Sequence, residues 1–382
     1  MTSSERFYRG LHFLPVDHVV DMEFGYWDEI HELWQKEGLP PGLDTHEKLE
    51  LYFGLERRYR PPINVLIQPE FEIEEVAVRD GYRYYYDNDH VLCRVPVGSL
   101  TTMPEHLEYP LKSRDDWENI FKPKLNSDNP DRFPCDLIEQ IENALDKDYM
   151  PWLYVGSLFG RLRNFAGFEN ICYMLYDEPD LVDEIIRHMT DLTCTVLERV
   201  MPLIQGRIKV AHFWEDICFN AGPMISPEYF RERLVPRFKQ IMDILHKYGI
   251  DIAIVDCDGY IELLINGWLE AGVNVIFPLE RASGSDPVKL RKKHGRDLLL
   301  MGGIDKRKIA QGGDEIVREL EYLAPLVEEG GYIPHCDHLC PADVTLEKYR
   351  YYLRKKRELF GIPQRGERAR MYPNDIRDEN YK

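Results

Sequence analysis

Five apolar runs of strand length recur through the second half of this chain, and each ends in acids, histidines or thiols. They are Ile208–Asp216, Ile252–Gly259, Val273–Glu280, Leu298–Lys306 and Gly331–His338. Four to six apolar residues suit a buried strand, and a helical pattern follows most of these runs. Strands alternating with helices imply a parallel sheet with right-handed crossovers. Buried parallel strands with polar groups just past their C-terminal ends are how an α/β barrel builds an active site. The recurrence thus constrains the fold and the place of the chemistry together.

The rest of the chain extends the same pattern. Leu153–Leu158 reads as a strand, followed by helices over 169–177 and 180–203, the second with apolar residues at 181, 182, 185, 186, 189 and 192. Ser226, Pro227 and Glu228 form an N-cap, a first-turn proline and a first-turn acid, opening a helix to 247. Helices are expected over 260–271, 286–294, 313–328 and 345–359, the last stopped by Gly361 and Pro363. In the first third, Val19–Phe24 is the candidate first strand and Tyr26–Lys36 a helix. Residues 71–97 alternate around Asp80-Gly81, the signature of an antiparallel hairpin. Residues 98–135 carry scattered prolines and little periodicity.

Seven strands are legible, and the eighth is expected either in the insertion or in a stretch too irregular to read. The expected fold is α/β: a single TIM (β/α)8 barrel over 1–382. An N-terminal insertion over 40–135, containing the β-hairpin, caps one barrel mouth, and a polar tail covers 362–382.

Bulk properties narrow the partners. A formal net charge of −19 over 382 residues argues against nucleic acid or an anionic membrane. No apolar run approaches the ~18 residues of a membrane span, and the N-terminus has no apolar secretion signal. Eight scattered cysteines without a CxxC pair read as reduced thiols in a cytoplasmic protein.

The strand ends offer several chemistries. Asp256 and Asp258 flank Cys257 and point to the same side of an extended chain, which suits a metal or proton transfer. One of them could instead cap the next helix. His335, Cys336, Asp337, His338 and Cys340 crowd five possible ligands into six residues, more than one ion can use. Glu280, Glu215 and Asp216 stand at other strand ends, and His212 is a ligand or a packed core residue. Gly302 and Gly303 suggest close backbone or ligand approach. Lys306 and Arg307 follow as carboxylate or phosphate binders, unless Asp305 merely caps a helix there. No P-loop, GxGxxG, GxSxG or HExxH occurs.

Taken together, Val255–Gly259, Pro278–Glu280, Gly302–Lys306 and Gly330–His338 resemble the uroporphyrinogen decarboxylase superfamily. So do Phe24–Trp27 and Glu37–Pro40. The resemblance implies a TIM-type barrel over most of 10–360. The decarboxylase itself grips its many substrate carboxylates with an arginine-rich loop after the first strand. Here the matching stretch, Glu23–Glu29, holds acids and no arginine, and like charges repel strongly in such a pocket.

The chain is more similar to the cobalamin-dependent methyltransferase branch. There a His-x-Cys pair and a late cysteine hold zinc. The resemblance puts Asp256 and Asp258 at the first two positions and His338 at the third, with Glu280 as a further metal ligand. The cysteines at 257, 336 and 340 become the second choice. An oxygen and nitrogen site is harder than a thiolate site and suits polarising an oxygen. The implied activity is therefore transfer of a methyl group from a methyl ether, above all a methoxylated aromatic, to the cob(I)alamin of a corrinoid protein partner.

In that reading Asp256, Glu215 and Lys306 are catalytic, and Tyr26, Trp27, Phe213, Trp214 and Arg307 bind substrate. Related barrels often dimerise, so a homodimer is also expected. Two other readings stay open on the same fold. One is a metal-independent decarboxylase of a small acid, and the other a non-catalytic corrinoid- or tetrapyrrole-binding protein.

Overall fold

The computed structural model describes residues 1–99 and 104–365; most of the expected tail, 366–382, lies outside the described residues. The strands in chain order are β1 (Arg58–Tyr59), β2 (Glu74–Arg79), β3 (Tyr82–Tyr86), β4 (Leu92–Pro96), β5 (Glu105–Glu108), β6 (Met150–Tyr154) and β7 (Val210–Trp214). They continue as β8 (Cys218–Phe219), β9 (Gly222–Pro223), β10 (Ile252–Asp256), β11 (Val275–Phe277), β12 (Leu299–Met301) and β13 (Tyr332–Ile333).

Seven of them form one sheet in the order β1-β6-β7-β10-β11-β12-β13. Pairing is parallel where β6 meets β7, β7 meets β10 and β12 meets β13. Strand alternates with helix from 150 onward, which is the α/β-barrel arrangement read from the sequence. The sheet has seven strands among the described residues, not the eight expected.

By compactness the chain divides into one unit of 1–59, 144–150 and 276–382 and a second of 60–143 and 151–275. In the second unit, the helix Pro179–Ile204 buries the apolar stripe its spacing predicts, from Leu181 and Val182 through Ile185, Ile186, Met189 and Leu192 to Val196 and Val200. Ser226 caps its helix as expected, its hydroxyl accepting from Tyr229 N at 3.0 Å. The Asp-Gly turn also holds. Asp80 and Gly81 have φ of 53° and 77°, the pair of positive values that a two-residue hairpin turn requires. That hairpin is half of a four-stranded antiparallel sheet, β2-β3-β4-β5. β5 falls in the stretch where no periodicity was legible, because all four of its residues are exposed and no apolar face marks it.

One strand was misplaced. Val19–Phe24 belongs to no strand; an isolated bridge follows it at Tyr26, parallel to Cys340. The reason lies in its acids. Asp21 and Glu23, two residues apart on an extended segment, both turn to the last helix, Leu346–Leu359. Lys356 Nζ bonds Glu23 Oε1 at 2.7 Å and the Met22 carbonyl at 2.9 Å, and Arg357 Nε bonds Asp21 Oδ2 at 2.7 Å. The first sheet strand is instead Arg58–Tyr59. No helix among the described residues is long and apolar enough to cross a membrane.

Candidate metal centre and active site

In the first unit the loops after β11, β12 and β13 converge. Gly302 makes this possible. Its φ is +91°, and a Cβ there would lie 1.9 Å from the Pro278 carbonyl oxygen. Gly303 N donates to that same oxygen at 3.0 Å. The two loops therefore touch backbone to backbone, which brings Lys306 Nζ to Glu280 Oε1 at 3.0 Å. Asp337, after β13, ties both together: Oδ1 accepts from Lys306 N at 3.0 Å and Oδ2 from Arg281 N at 2.8 Å. Burial pushes its carboxyl up to about 6, against the pull of Lys306. Burial also opposes the Lys306 charge, but Asp337 and Glu280 outweigh it and raise that amine.

His338 stands beside this knot, with a ligand atom within 4.8 Å of one on Glu280. Trp27 stacks on the His338 ring, centroids 5.6 Å apart and planes 25° from parallel, and Phe24 meets it edge-on at 5.4 Å. The nearby His335 is a different case. It is fully buried, its Nδ1 donates to the Cys336 carbonyl at 2.7 Å, and burial lowers its pKa to about 3, so it is a neutral packed ring.

In the second unit, Asp256 and Asp258 lie at the C-terminal end of β10. Asp256 Oδ2 is 3.8 Å from His212 Nε2 of β7, so these two strand ends meet. Gly259 turns the chain at φ +83°, where a Cβ would lie 2.8 Å from the Phe219 carbonyl oxygen. Asp216 pairs with Arg163 at 3.1 Å; its carboxyl is pushed up to about 6 by burial, with Arg163 pulling down and Asp258 and Asp256 pushing further. Arg161 and Arg163 stand 5.4 and 5.8 Å from the Trp214 ring, and Arg161 also clasps Asp89 at 2.7 Å.

Several residues expected to act on substrate are buried or bonded within the fold. Glu215 is fully buried and takes hydrogen bonds from Leu158 N at 2.6 Å, Gly160 N at 2.8 Å and the Ser157 hydroxyl at 3.1 Å. These bonds close the loop after β6. Burial pushes its carboxyl to about 7 in spite of those donors.

Tyr26 is 1% exposed and its hydroxyl bonds that of Tyr349 at 2.8 Å, while Phe213 is 0% exposed and packs edge-on against Phe238. Both are buried among core residues. Arg307 folds back on Asp305 through Nη2–Oδ2 at 2.7 Å, and Asp305 caps the helix Lys306–Gln311 through Arg307 N. Asp305 thus caps its helix, as weighed above, but Lys306 is held by Glu280 and not left to solvent. Cys257, Cys336 and Cys340 are buried, with thiols pushed up by burial.

Two residues in these clusters escaped the sequence reading: Arg161 and Arg163, which lie on the helix Phe159–Ala166, where no strand-end position marks them. Asp337 was one of five possible ligands, and only its two backbone bonds reveal it as a tie.

The sequence matches the family model described as Uroporphyrinogen decarboxylase (URO-D) over residues 93–359. No curated protein matches it. Among solved structures it is similar to a methyltransferase from Methanosarcina mazei. The TM-score is 0.60 at 15% identity, covering 94% of this chain and 99% of that one, a likeness of fold. The family match and the strand order agree, and the chain belongs to the uroporphyrinogen decarboxylase family.

Proposed function

We propose that this chain is a zinc-dependent methyltransferase that moves a methyl group from a methyl ether, above all a methoxylated aromatic, to the cob(I)alamin of a corrinoid protein. The observation that carries the reading is the approach of Glu280 and His338 to within 4.8 Å beneath Trp27. A carboxylate and an imidazole form a donor pair that fits zinc. Asp258 is the third ligand the reading assigns, with Asp256 beside it. Fold likeness to a methyltransferase and membership of a family of barrel enzymes support the same class.

Bound zinc supplies Lewis acidity toward the ether oxygen, where negative charge grows as the methyl group departs. The protein's own residues prepare that place. Lys306, bonded to Glu280, fixes the carboxylate's direction and tempers its charge. Asp337 holds the backbone on both sides of that pair. Trp27 covers the His338 ring, excludes water from one side and offers an aromatic surface to an aryl ether. A carboxylate-gripping decarboxylase draws less support, since Lys306 and Arg307 already pair with Glu280 and Asp305.

His338→Ala and Asp258→Asn should each lower zinc content by about one per chain and abolish methyl transfer from methoxyarenes to cob(I)alamin. Full activity in metal-stripped protein, or no transfer from any of a panel of methoxyarenes with zinc-loaded protein, would overturn the reading.

A further inference from the structure

A second cluster of metal-ligating side chains lies in the first unit, outside the site just described. Asp28, His31 and His46 each offer one ligand atom, and the three atoms lie within 4.8 Å of one another. Asp28 is exposed, His46 half-buried and His31 buried. The sequence hides this group, because His46 sits eighteen residues from Asp28 and neither lies at a strand end.

Each side chain is prepared for an ion in its own way. His31 Nδ1 lies 2.9 Å from the Leu43 carbonyl oxygen. A carbonyl only accepts, so Nδ1 carries the proton and Nε2 keeps the lone pair. Metal-bound histidines are usually oriented by such a backbone bond. The His46 ring packs edge-on against the Tyr26 ring, centroids 5.8 Å apart. Gly25 leaves it room, since a Cβ there would lie 2.7 Å from His46 Nδ1. The two imidazoles lie 24° from parallel, with centroids 6.3 Å apart.

Asp28 occupies the N-cap of the helix Glu29–Lys36, yet its side chain makes no capping bond. Thr45, at the cap of His46–Phe53, does make one. The Asp28 carboxylate is therefore not spent on its helix.

We propose that Asp28, His31 and His46 bind a divalent cation of the zinc class as a two-histidine, one-carboxylate site. Zinc takes imidazole nitrogen at ~2.0–2.1 Å and carboxylate oxygen at ~2.0–2.2 Å, with a water in the fourth place. Such distances put ligand atoms about 3.4 Å apart in a tetrahedron, and small side-chain rotations bring three atoms that already lie within 4.8 Å of one another to that spacing. The ion joins the starts of two helices to the segment 25–28, which carries Trp27 onto His338. Its role is to clamp that segment. The site shares no ligand with the proposed catalytic centre and does not depend on it.

The test is zinc stoichiometry by mass spectrometry after dialysis, on the full chain and on Asp28→Ala, His46→Ala and His338→Ala variants. Circular dichroism checks folding, and Asp28→Ala alters an exposed side chain that caps nothing. Asp28→Ala and His46→Ala should each lose one zinc, and His338→Ala should keep the zinc bound here. If wild type and His338→Ala hold the same single zinc and His46→Ala holds none, the clamp stands and the catalytic zinc falls. If Asp28→Ala and His46→Ala keep the wild-type content, or His338→Ala holds none, the clamp is overturned.

Discussion

Single residues decide how closely the strand-end loops of the first unit approach. Gly302 is the clearest case, because its positive φ and the Pro278 oxygen both exclude a side chain. Gly302→Ala should cost about 3 kcal/mol or more, through overpacking and backbone strain together. Urea denaturation would measure it, and an unchanged midpoint would count against backbone contact as the role of this glycine. The glycine pair was legible as a sign of close approach, since glycine is the residue that permits it. That the partner was the Pro278 carbonyl was not legible, because it lies on another strand's loop. Tyr26 and Phe213 mislead for a related reason: an aromatic side chain at a strand end looks the same in a core as at a mouth. Only burial, with Tyr349 and Phe238 as neighbours, separates the two.

At the scale of elements, most strands and helices after residue 150 stand within a few positions of where their periodicity put them. Apolar stripes such as that of Pro179–Ile204 are set by local spacing, and packing confirms what spacing dictates. Elements without a stripe were missed, as with β5, or misplaced, as with Val19–Phe24.

The long helix also carries an ion cluster that spacing does not announce. Glu184 takes Arg114 Nη1 at 2.7 Å, Lys122 Nζ at 3.3 Å and Trp117 Nε1 at 3.4 Å. The Arg114 bond, foremost, lowers its carboxyl from 4.5 to about 2. A depressed folded-state pKa means stability present above the unfolded value and lost as pH falls through the folded one. Exposure and solvent screening hold the effect to at most ~1 kcal/mol. Glu184→Gln should therefore lower stability at pH 7, with the gap narrowing as pH falls from about 4.5 to about 2. Urea midpoints across that range test it, and a pH-independent gap would show that the cluster is not ionic.

Across the molecule, the two ends of the described chain are tied by buried charge. Lys356 is fully buried, with Asp21 and Glu23 around it, and the Tyr352 hydroxyl and Cys336 N complete the bonds to Glu23 at 2.7 and 2.9 Å. Removing one member leaves buried charge uncompensated, so Lys356→Met should cost about 3–5 kcal/mol. Thermal unfolding would register this as a large fall in midpoint; a near-neutral result would mean the carboxylates find protons or water at little cost.

Strand and helix spacing, turn chemistry and the polar strand ends were readable from the chain alone, because each depends on neighbours a few residues away. The family could be read as well, since its motifs are contiguous. What only the folded chain decides is which acids are spent. Glu215 and Glu23 are consumed by backbone amides and a buried lysine, while Glu280, bonded to Lys306, comes to lie beside His338. The partners of Glu215 and Glu23 lie tens to hundreds of residues away, and hydrogen-bond competition among them is settled only when tertiary packing brings them within reach.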